Sequence, residues 1–319
     1  MATINDVAKL AGVSKSTVSH VFNNTKFTSD GVKRRVLAAA KELNYKSNYY
    51  AKTLATNQSQ VIGIQLDSPT GSLDMFQQKV INSILKICTE KEYYLLLMPN
   101  FSERHDYFPI DGLILMNPKI QDTQAVETPH IWLGRPSQAI IDTSYYVDND
   151  NQAMMKQLTQ LLLTKVKTGI LFINAADDMT VSQDREKGFR EALTDDTNYY
   201  HINYNRQISQ AAFAYEVLNN MWPTHNLDTI IVDNDVMAQG VYKFATENQL
   251  NIPADLAVIA ISESLEASEF FSPTLSCVDL KEAQLGETIA TNLIHLINDV
   301  KIPKQATITT DIKIKDSLR

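Results

Sequence analysis

The first 24 residues contain two short helical patterns that meet at a glycine, and they restrict the fold of this chain more than any other stretch. Thr3 followed by Asp6 is a helix start that resembles a capping box, and Gly12 permits the turn after the first helix. Ser14 can cap a second helix. The pattern predicts a helix-turn-helix, whose second helix can enter the major groove of DNA.

The two predicted helices have an apolar inner side and a polar outer side. The inner residues are Val7, Ala8, Ala11, Val18 and Val21. On the outer side of the second helix lie Lys15, Ser16, Thr17, Ser19 and His20. A cation and several hydroxyls can contact phosphates and base edges there. A small solvated helical pair is the alternative, since helix pairs with polar faces are common.

Charge is distributed unevenly along the chain, whose formal net charge is −8. Residues 1–60 contain nine Lys and Arg against three Asp and Glu, which gives +6. Residues 61–319 contain 20 basic and 34 acidic side chains, which gives −14. A polyanion attracts the basic head and repels the acidic body, so nucleic acid is expected at the head alone.

A third helical pattern, VKRRVLAAAKELNY, follows Ser29, which is its expected N-cap. An apolar stripe at helical spacing can cover the first two helices, and it consists of Val32, Val36, Leu37, Ala40 and Leu43. The basic residues outside this stripe are Lys33, Arg34, Arg35 and Lys41. They are expected to face solvent or phosphates, because contacts that position a protein on DNA outnumber contacts that read bases.

The rest of the chain alternates between short apolar runs and helix-length patterns. The runs are VIGIQL, YYLLLMP, DGLILM, HIWLG, TGILFIN, TIIVDN and LAVIAIS. Helices are expected at about 75–91, 150–164, 183–194, 209–222, 235–249 and 281–299. This alternation predicts an α/β fold with parallel sheets. Two doubly wound lobes that face each other would place their strand ends around a ligand-binding cleft.

Other signals in the sequence argue against membrane and enzyme classes. An apolar run long enough to span a membrane is missing, and so is a secretory signal, which predicts a cytoplasmic protein. Cys88 and Cys277 are far apart and are expected to be reduced, buried thiols. The sequence contains no zinc spacing, P-loop, GxGxxG or GxSxG motif, so no cofactor, metal or catalytic residue is predicted.

The motifs together resemble the lactose-repressor (LacI/GalR) family of bacterial transcription regulators. The resemblance extends over nearly the whole chain, and LGRP, YVDNDN and VSQDREKGFREAL are most similar to maltose-type repressors of Gram-positive bacteria. It implies that Lys15 and Ser16 read bases, with His20 where the family usually has Arg. It also implies phosphate contacts from Ser14, Thr17, Ser19 and Asn23.

The resemblance implies a hinge helix that folds on operator DNA within residues 46–60. The matching residues are Asn48, Ala51, Lys52 and Leu54, and Leu54 would wedge into a minor-groove base step. Without the resemblance, an ordinary polar linker is the better interpretation. The implied domains are a headpiece at 1–45, this hinge, and an effector-binding and dimerisation core at 61–319. Lobe 1 is expected at about 61–148 and 280–306, and lobe 2 at about 149–279 and 307–319.

The implied core resembles type I periplasmic binding proteins, with an effector cleft between the lobes. The matching effector residues are Asp74, Phe76, Arg135, Asp148, Arg185, Asn234, Asp235 and Glu263. Arg185 is the strongest candidate, because a guanidinium can form a fork with two sugar hydroxyls. A structural ion pair of Arg185 with Asp184 or Asp235 is the alternative. Glu263 stands at a position where Asp is frequent in the family. Phe76 and Phe270 could equally belong to the core.

One connection is shorter than in the family. Only NFSERHDYFPI lies between YYLLLMP and DGLILM, and eleven residues cannot contain two loops and a full helix. We therefore expect lobe 1 to lack one crossover helix, which would leave one sheet face thinner or covered differently.

The predicted function is a dimeric, operator-binding repressor that a sugar effector releases from DNA. A regulator that needs its ligand as a co-repressor is the alternative within this class. A sugar-binding protein whose head contacts another protein is a second alternative, and the basic head argues against it. Turnover of a sugar by the pure protein would be needed to support an enzyme.

Overall fold

A computed structural model describes residues 2–23, 27–45, 53, 58–66, 73–98, 109–121, 126–262 and 265–318. The chain forms two compact units, Met1–Ser59 and Gln60–Arg319. The predicted hinge residues Asn48, Ala51, Lys52 and Leu54 and the predicted effector residue Glu263 lie outside the described residues.

The N-terminal unit contains the three predicted helices, α1 (Ile4–Ala11), α2 (Lys15–Asn23) and α3 (Asp30–Glu42). The predicted capping box is confirmed, because the amide of Asp6 donates to Thr3 Oγ1 and that of Thr3 donates to the Asp6 carboxylate. Gly12 ends α1 at φ 65°, in the left-handed region that glycine adopts easily. The helix-turn-helix therefore forms where the local signals indicated it.

The three helices pack around one small apolar core. Val7, Val18 and Val36 are fully buried in it. The predicted stripe on α3 was wrong at Leu37, which is 46% exposed, and Ala39 is buried in its place. The basic residues Lys33, Arg34, Arg35 and Lys41 are exposed, as predicted.

Two six-stranded sheets form the C-terminal unit. Sheet 1 contains β1 (Val61–Gln65), β2 (Tyr94–Met98), β3 (Gly112–Met116), β4 (His130–Leu133), β5 (Tyr146–Asn149) and β11 (Gln305–Ile308). Sheet 2 contains β6 (Ile170–Asn174), β7 (Tyr199–Asn203), β8 (Thr229–Val232), β9 (Ala257–Ser262), β10 (Ser276–Asp279) and β12 (Asp311–Lys313). The strand orders are β11-β5-β4-β3-β1-β2 and β12-β10-β9-β8-β6-β7. All pairs are parallel except β10 with β12.

Helices connect and cover these sheets. They are α4 (Met75–Glu90), α5 (Asn151–Leu163), α6 (Thr180–Ala192), α7 (Gln210–Met221), α8 (Asp235–Glu247), the short α9 (Leu265–Ser268) and α10 (Glu282–Ile297). Lobe 1 consists of sheet 1 with α4 and α10, which pack together on one sheet face. Lobe 2 consists of sheet 2 with α5 and α6 on one face and α7 and α8 on the other.

The second face of sheet 1 carries large side chains instead of a described helix. Met98, Leu113, Leu115, Trp132 and Tyr146 are buried there. Residues 99–108, to which the prediction of a missing crossover helix applies, lie outside the described residues, so that expectation stays a prediction. The described residues between β3 and β4, 117–121 and 126–129, contain no helix, whereas lobe 2 has α8 in the equivalent connection.

The chain passes between the lobes three times, after β5, after β10 and after β11. Asn149 Nδ2 donates to the carbonyls of Leu280 at 3.1 Å and Ile308 at 2.9 Å, so one amide connects all three passages. Lys281 Nζ lies 2.6 Å from both Asp279 and Asp311. In the described part of the chain, no helix is both long and apolar enough to cross a membrane.

Candidate functional site

The polar side chains at the start of α2 do not take part in the packing of the apolar core of the N-terminal unit. Ser14 Oγ accepts from the amide of Thr17 at 3.1 Å, which confirms the predicted cap. Lys15 and Ser16 are exposed, whereas Thr17, Ser19 and His20 are half-buried. Asn23 is the last residue of α2. An exposed ammonium and hydroxyl at a helix N-terminus suit a phosphate or a base edge.

A cavity of about 550 Å³ lies between the lobes. Five predicted effector residues line it, namely Asp74, Phe76, Asp148, Arg185 and Asn234. They come from the segment after β1, from the end of β5, from α6 and from the turn after β8, so strand ends and helix starts build the walls. This is where ligands bind in doubly wound sheets. The cavity size lies in the range typical of small-molecule sites.

Arg185 is held in the cavity wall by partners on two sides. Its Nη1 forms an ion pair with Asp233, and its Nε donates to Asn151 Oδ1 at 3.0 Å. The side chain is only 8% exposed. The predicted structural alternative named Asp184 or Asp235 as the partner, and the structure places Asp233 there instead. Because the ion pair itself lines the cavity, it can be both a structural pair and a hydrogen-bonding surface for a ligand.

Asp148 is a carboxylate surrounded by protein at the end of β5. Its oxygens accept from the amides of Arg135 at 3.0 Å and Asn149 at 2.8 Å, and from Asn151 Nδ2 at 3.0 Å. Burial raises the pKa of Asp148 to about 7, although these amide donors oppose the shift. A carboxyl in this state can accept from a ligand hydroxyl or, when protonated, donate to a ligand oxygen.

Asp74 and Asn234 each cap a helix at the cavity wall. Asp74 accepts from the amide of Gln77 at 2.7 Å, and Asn234 accepts from that of Met237 at 2.9 Å. Burial raises the pKa of the Asp74 carboxyl, and the negative charge of Asp233 raises it further. Carboxylates from opposite lobes therefore face each other across the cleft.

Phe76 lies between the two lobes. It is half-buried, lines the cavity and packs against the cores of both lobes. Phe270 is 84% exposed and does not belong to the core. Phe76 and Phe270 therefore differ, although the sequence left a core position open for both. Of the two, Phe76 is the one that a sugar ring can contact.

Two predicted effector residues do not line the cavity. Arg135 forms an ion pair with Asp184 beside it. Asp235 is the first residue of α8 and is 6% exposed. Burial raises the pKa of Glu282, and the negative charges of Asp279 and Asp235 raise it further. Arg135 and Asp235 are both next to residues that line the cavity, so the sequence motifs located the site but not the direction of each side chain.

Several lining residues were missed in the sequence. The polar ones are Gln77, Asn117, Lys119, Asn149, Asn151, Thr180, Tyr204, Arg206, Gln210 and Asp233. Asn151 and Asp233 lie inside the motifs YVDNDN and VDND, three residues after Asp148 and one residue before Asn234, so these motifs contained a usable signal. Tyr204 and Arg206 follow β7, whose sequence YYHIN was not recognised as a strand.

The combined features define a class of protein. A basic helix-turn-helix unit precedes a two-lobed unit whose cleft is lined by carboxylates, amides and a guanidinium. This combination is a DNA-binding regulator with a small-molecule effector site. Residues 3–48 match the profile of bacterial regulatory proteins of the lacI family, and residues 159–318 match that of the periplasmic binding protein-like domain.

Similarity to characterised proteins extends over nearly the full length. The chain is 31% identical to the ribose operon repressor of Escherichia coli (strain K12) over 96% of each protein. It is 29% identical to the HTH-type transcriptional regulator MalR of Streptococcus pneumoniae serotype 4, over 95% of each. The solved Lac repressor dimer bound to operator and the anti-inducer ONPF gives a TM-score of 0.83 at 22% identity, with 100% of this chain and 99% of that chain covered.

This chain belongs to the lacI family of bacterial regulatory proteins. It is a DNA-binding transcriptional regulator and not an enzyme, like the relatives that it matches from end to end. The resemblance to maltose-type regulators is confirmed by MalR.

Proposed function

We propose that this chain is a homodimeric repressor of sugar-utilisation genes, released from its operator when a small sugar binds in the cleft. The observation that carries this proposal is the Arg185–Asp233 ion pair in the wall of a 550 Å³ cavity. An arginine fork beside carboxylate and amide oxygens matches the adjacent hydroxyls of a sugar. Ribose and maltose-like sugars are the first candidates, because the similar repressors suggest them.

The charges around the cavity support a neutral polyhydroxylated effector. The wall contains three carboxyls, Asp74, Asp148 and Asp233, and three basic side chains, Lys119, Arg185 and Arg206, so the formal charges balance. Hydroxyl groups can donate to the carboxylates and accept from the basic groups, so a neutral polyhydroxylated ligand suits this wall. Phe76 adds an aromatic surface for the apolar side of a sugar ring.

At the N-terminal unit, we assign direct base contacts to Lys15 and Ser16, with His20 next to them on α2. Phosphate contacts are assigned to Ser14, Thr17, Ser19 and Asn23. The hinge residues Asn48, Ala51 and Leu54 would enter the minor groove. Two copies would read half-sites of a near-palindrome in the cytoplasm, as expected for this type of headpiece.

Replacement of Arg185 tests the effector assignment. Arg185→Ala removes charge-assisted hydrogen bonds worth about 1.5–3 kcal/mol each, so sugar affinity should fall at least about tenfold. Arg190→Ala is the matched control, because Arg190 lies on the same helix, is 49% exposed and pairs with Glu186. Calorimetric titration with ribose and maltose measures both variants.

Operator binding tests the second part of the proposal, which is that the sugar releases the repressor from DNA. The operator is first selected from random DNA by the parent protein, and each variant then binds it with and without sugar. Arg185→Ala should bind this DNA and no longer be released by the sugar. If sugar strengthens DNA binding by the parent, the protein is the co-repressor type instead. If Arg185→Ala binds sugar like the parent, the proposed effector site is wrong.

A further inference from the structure

Arg135 and Asp184 form an ion pair that joins the two lobes. Arg135 follows β4 in lobe 1, and Asp184 lies on α6 in lobe 2. The guanidinium donates from Nε to Asp184 Oδ2 at 2.6 Å and from Nη2 to Oδ1 at 2.8 Å. The side chains are 23% and 17% exposed. A two-bond fork with little solvent access is the geometry in which an ion pair is strongest.

Main-chain contacts accompany this pair at the edge of the cleft. Lys119 after β3 forms an antiparallel bridge with Met179, at the start of α6. The amide of Ile120 donates to the carbonyl of Asp178 at 3.0 Å. Thr180 Oγ1 donates to the carbonyl of Arg135 at 2.6 Å. None of these contacts belongs to the three chain passages, so rotation of one lobe against the other must break or shift them.

We propose that the Arg135–Asp184 pair is a latch that keeps the lobes closed before any effector binds, and so sets how strongly the cleft binds its ligand. The latch proposal rests on the proposed function only where it takes the ligand to be a sugar. Neither residue lines the cavity, so both act on the ligand through the position of the lobes. They are positioning residues.

Repulsion inside the cleft gives the latch something to oppose. Asp74 of lobe 1 and Asp233 of lobe 2 line the same cavity, and burial, followed by the negative charge of Asp233, raises the pKa of Asp74. Closure brings these two carboxyls toward each other, and the Arg185 guanidinium, which pairs with Asp233, compensates part of their repulsion. The Arg135–Asp184 pair, outside the cavity, offsets the remainder, and a bound ligand adds its own contacts.

The first test measures the distance between the lobes in the ligand-free protein. Spin labels are attached at Asp142→Cys in lobe 1 and Asn219→Cys in lobe 2, both exposed positions, while Cys88 and Cys277 are buried and remain unlabelled. Labelled chains are diluted with unlabelled ones, so that distances within one chain dominate. Asp184→Asn and Arg135→Gln should each increase the population of longer distances at least about fivefold.

The charge-swapped variant, Arg135→Asp with Asp184→Arg, should restore the distances of the parent. Glu287→Gln is the control, because it breaks the 2.7 Å pair of Lys86 with Glu287 inside lobe 1. It should leave the distances unchanged. Parent-like distances in both single variants would overturn the latch, as would a swapped variant as open as the single ones.

The second test measures ligand affinity with whichever of ribose or maltose binds the parent. The affinity of Asp184→Asn should fall by the same factor as its closed population. An unchanged affinity in an opened variant would show that the pair does not set ligand binding. If neither sugar binds the parent, the proposed effector class fails, and the distance measurement still decides whether the latch exists.

Discussion

The two lobes have the same strand order but different connections. In lobe 2, residues 204–228 connect β7 to β8 and contain α7, and residues 233–256 connect β8 to β9 and contain α8. The equivalent connections in lobe 1 are residues 99–111 and 117–129, about half as long. Lobe 2 covers its outer face with a helix pair, whereas the described residues on the same face of lobe 1 form a layer of large side chains.

The difference in connection length shows which parts of a doubly wound lobe are needed to form a wall of the cleft. In lobe 2 both outer helices begin at the cavity, because Gln210, the first residue of α7, and Asn234, the N-cap of α8, line it. In lobe 1 the described residues directly after β3 line the cavity without a helix, through Asn117, Pro118 and Lys119. Strand ends and the loops after them can therefore supply a wall of the site on their own.

The largest effect on stability is expected from the helical layer of lobe 2. Phe244 on α8 is 1% exposed and packs edge-on against Trp222, with ring centres 5.6 Å apart. Phe244→Ala should lower the free energy of unfolding by about 3–5 kcal/mol. Urea denaturation followed by circular dichroism measures it, with the exposed Phe270→Ala as control. A loss below about 1 kcal/mol would mean that this layer is not a rigid core.

A pair of glycines compares the two outer faces directly. A methyl group on Gly240 would overlap the main-chain carbonyl of Ala211 on α7, which cannot move away. A methyl group on Gly63 would meet Met98 Cε at 2.6 Å, the flexible end of a side chain. Gly240→Ala should cost about 1–3 kcal/mol of unfolding free energy, and Gly63→Ala less than about 1 kcal/mol. Equal losses in urea denaturation would contradict the contrast between a rigid and an adaptable layer.

Asp148, at the boundary of the lobes, should make stability depend on pH. Its pKa is about 7 in the folded protein and near 4 in an unfolded chain, so the folded state holds the proton more tightly. The free energy of unfolding should therefore fall between about pH 4 and 7, by up to about 1.4 kcal/mol per pH unit, and level off above. Asp148→Asn should remove this component. Denaturation at several pH values measures it, and identical pH profiles for parent and variant would contradict it.

The smallest effects on stability are expected from the polar groups of two aromatic side chains, Trp132 in lobe 1 and Tyr242 in lobe 2. Trp132 Nε1 in lobe 1 is buried without a hydrogen-bond partner, whereas Tyr242 in lobe 2 donates its hydroxyl to the carbonyl of Pro273 at 2.8 Å. Trp132→Phe should stay within about 1 kcal/mol, because relief of the unpaired group offsets lost packing. Tyr242→Phe should cost about 0.5–1.5 kcal/mol. The melting temperatures of the two variants test the difference, and a larger loss for Trp132→Phe would reverse it.

Local signals were the predictable part of the fold. The capping box at Thr3, the turn at Gly12 and the starts of most helices depend on neighbouring residues, so the sequence alone located them. Apolar runs predicted the central strands. The partly exposed strands β7, β11 and β12 were missed, because such strands need no continuous apolar run. The inner strands β5 (YVDN) and β10 (SCVD) also matched no apolar run, because each is four residues long and contains an aspartate.

The geometry of the candidate site was less predictable. The motifs placed Arg185 in the cleft, but its partner Asp233 comes from a different strand end, 48 residues further along. Arg135 belongs to a motif as clear as the others, yet its side chain turns to Asp184 in the other lobe. Which carboxylate a guanidinium meets depends on how two lobes pack, and no local pattern contains that information.

The amide of Asn149 has a mechanical consequence for any movement of the lobes. It holds all three connecting segments together at one point, since its two donated bonds reach the other two passages. Segments tied at one point can bend together there but cannot slide past one another without breaking those bonds. These bonds favour rotation of the lobes about a pivot near Asn149, and the displacement in such a rotation grows with distance from the pivot. A small displacement of the lobes at the cleft becomes a larger displacement at their far ends.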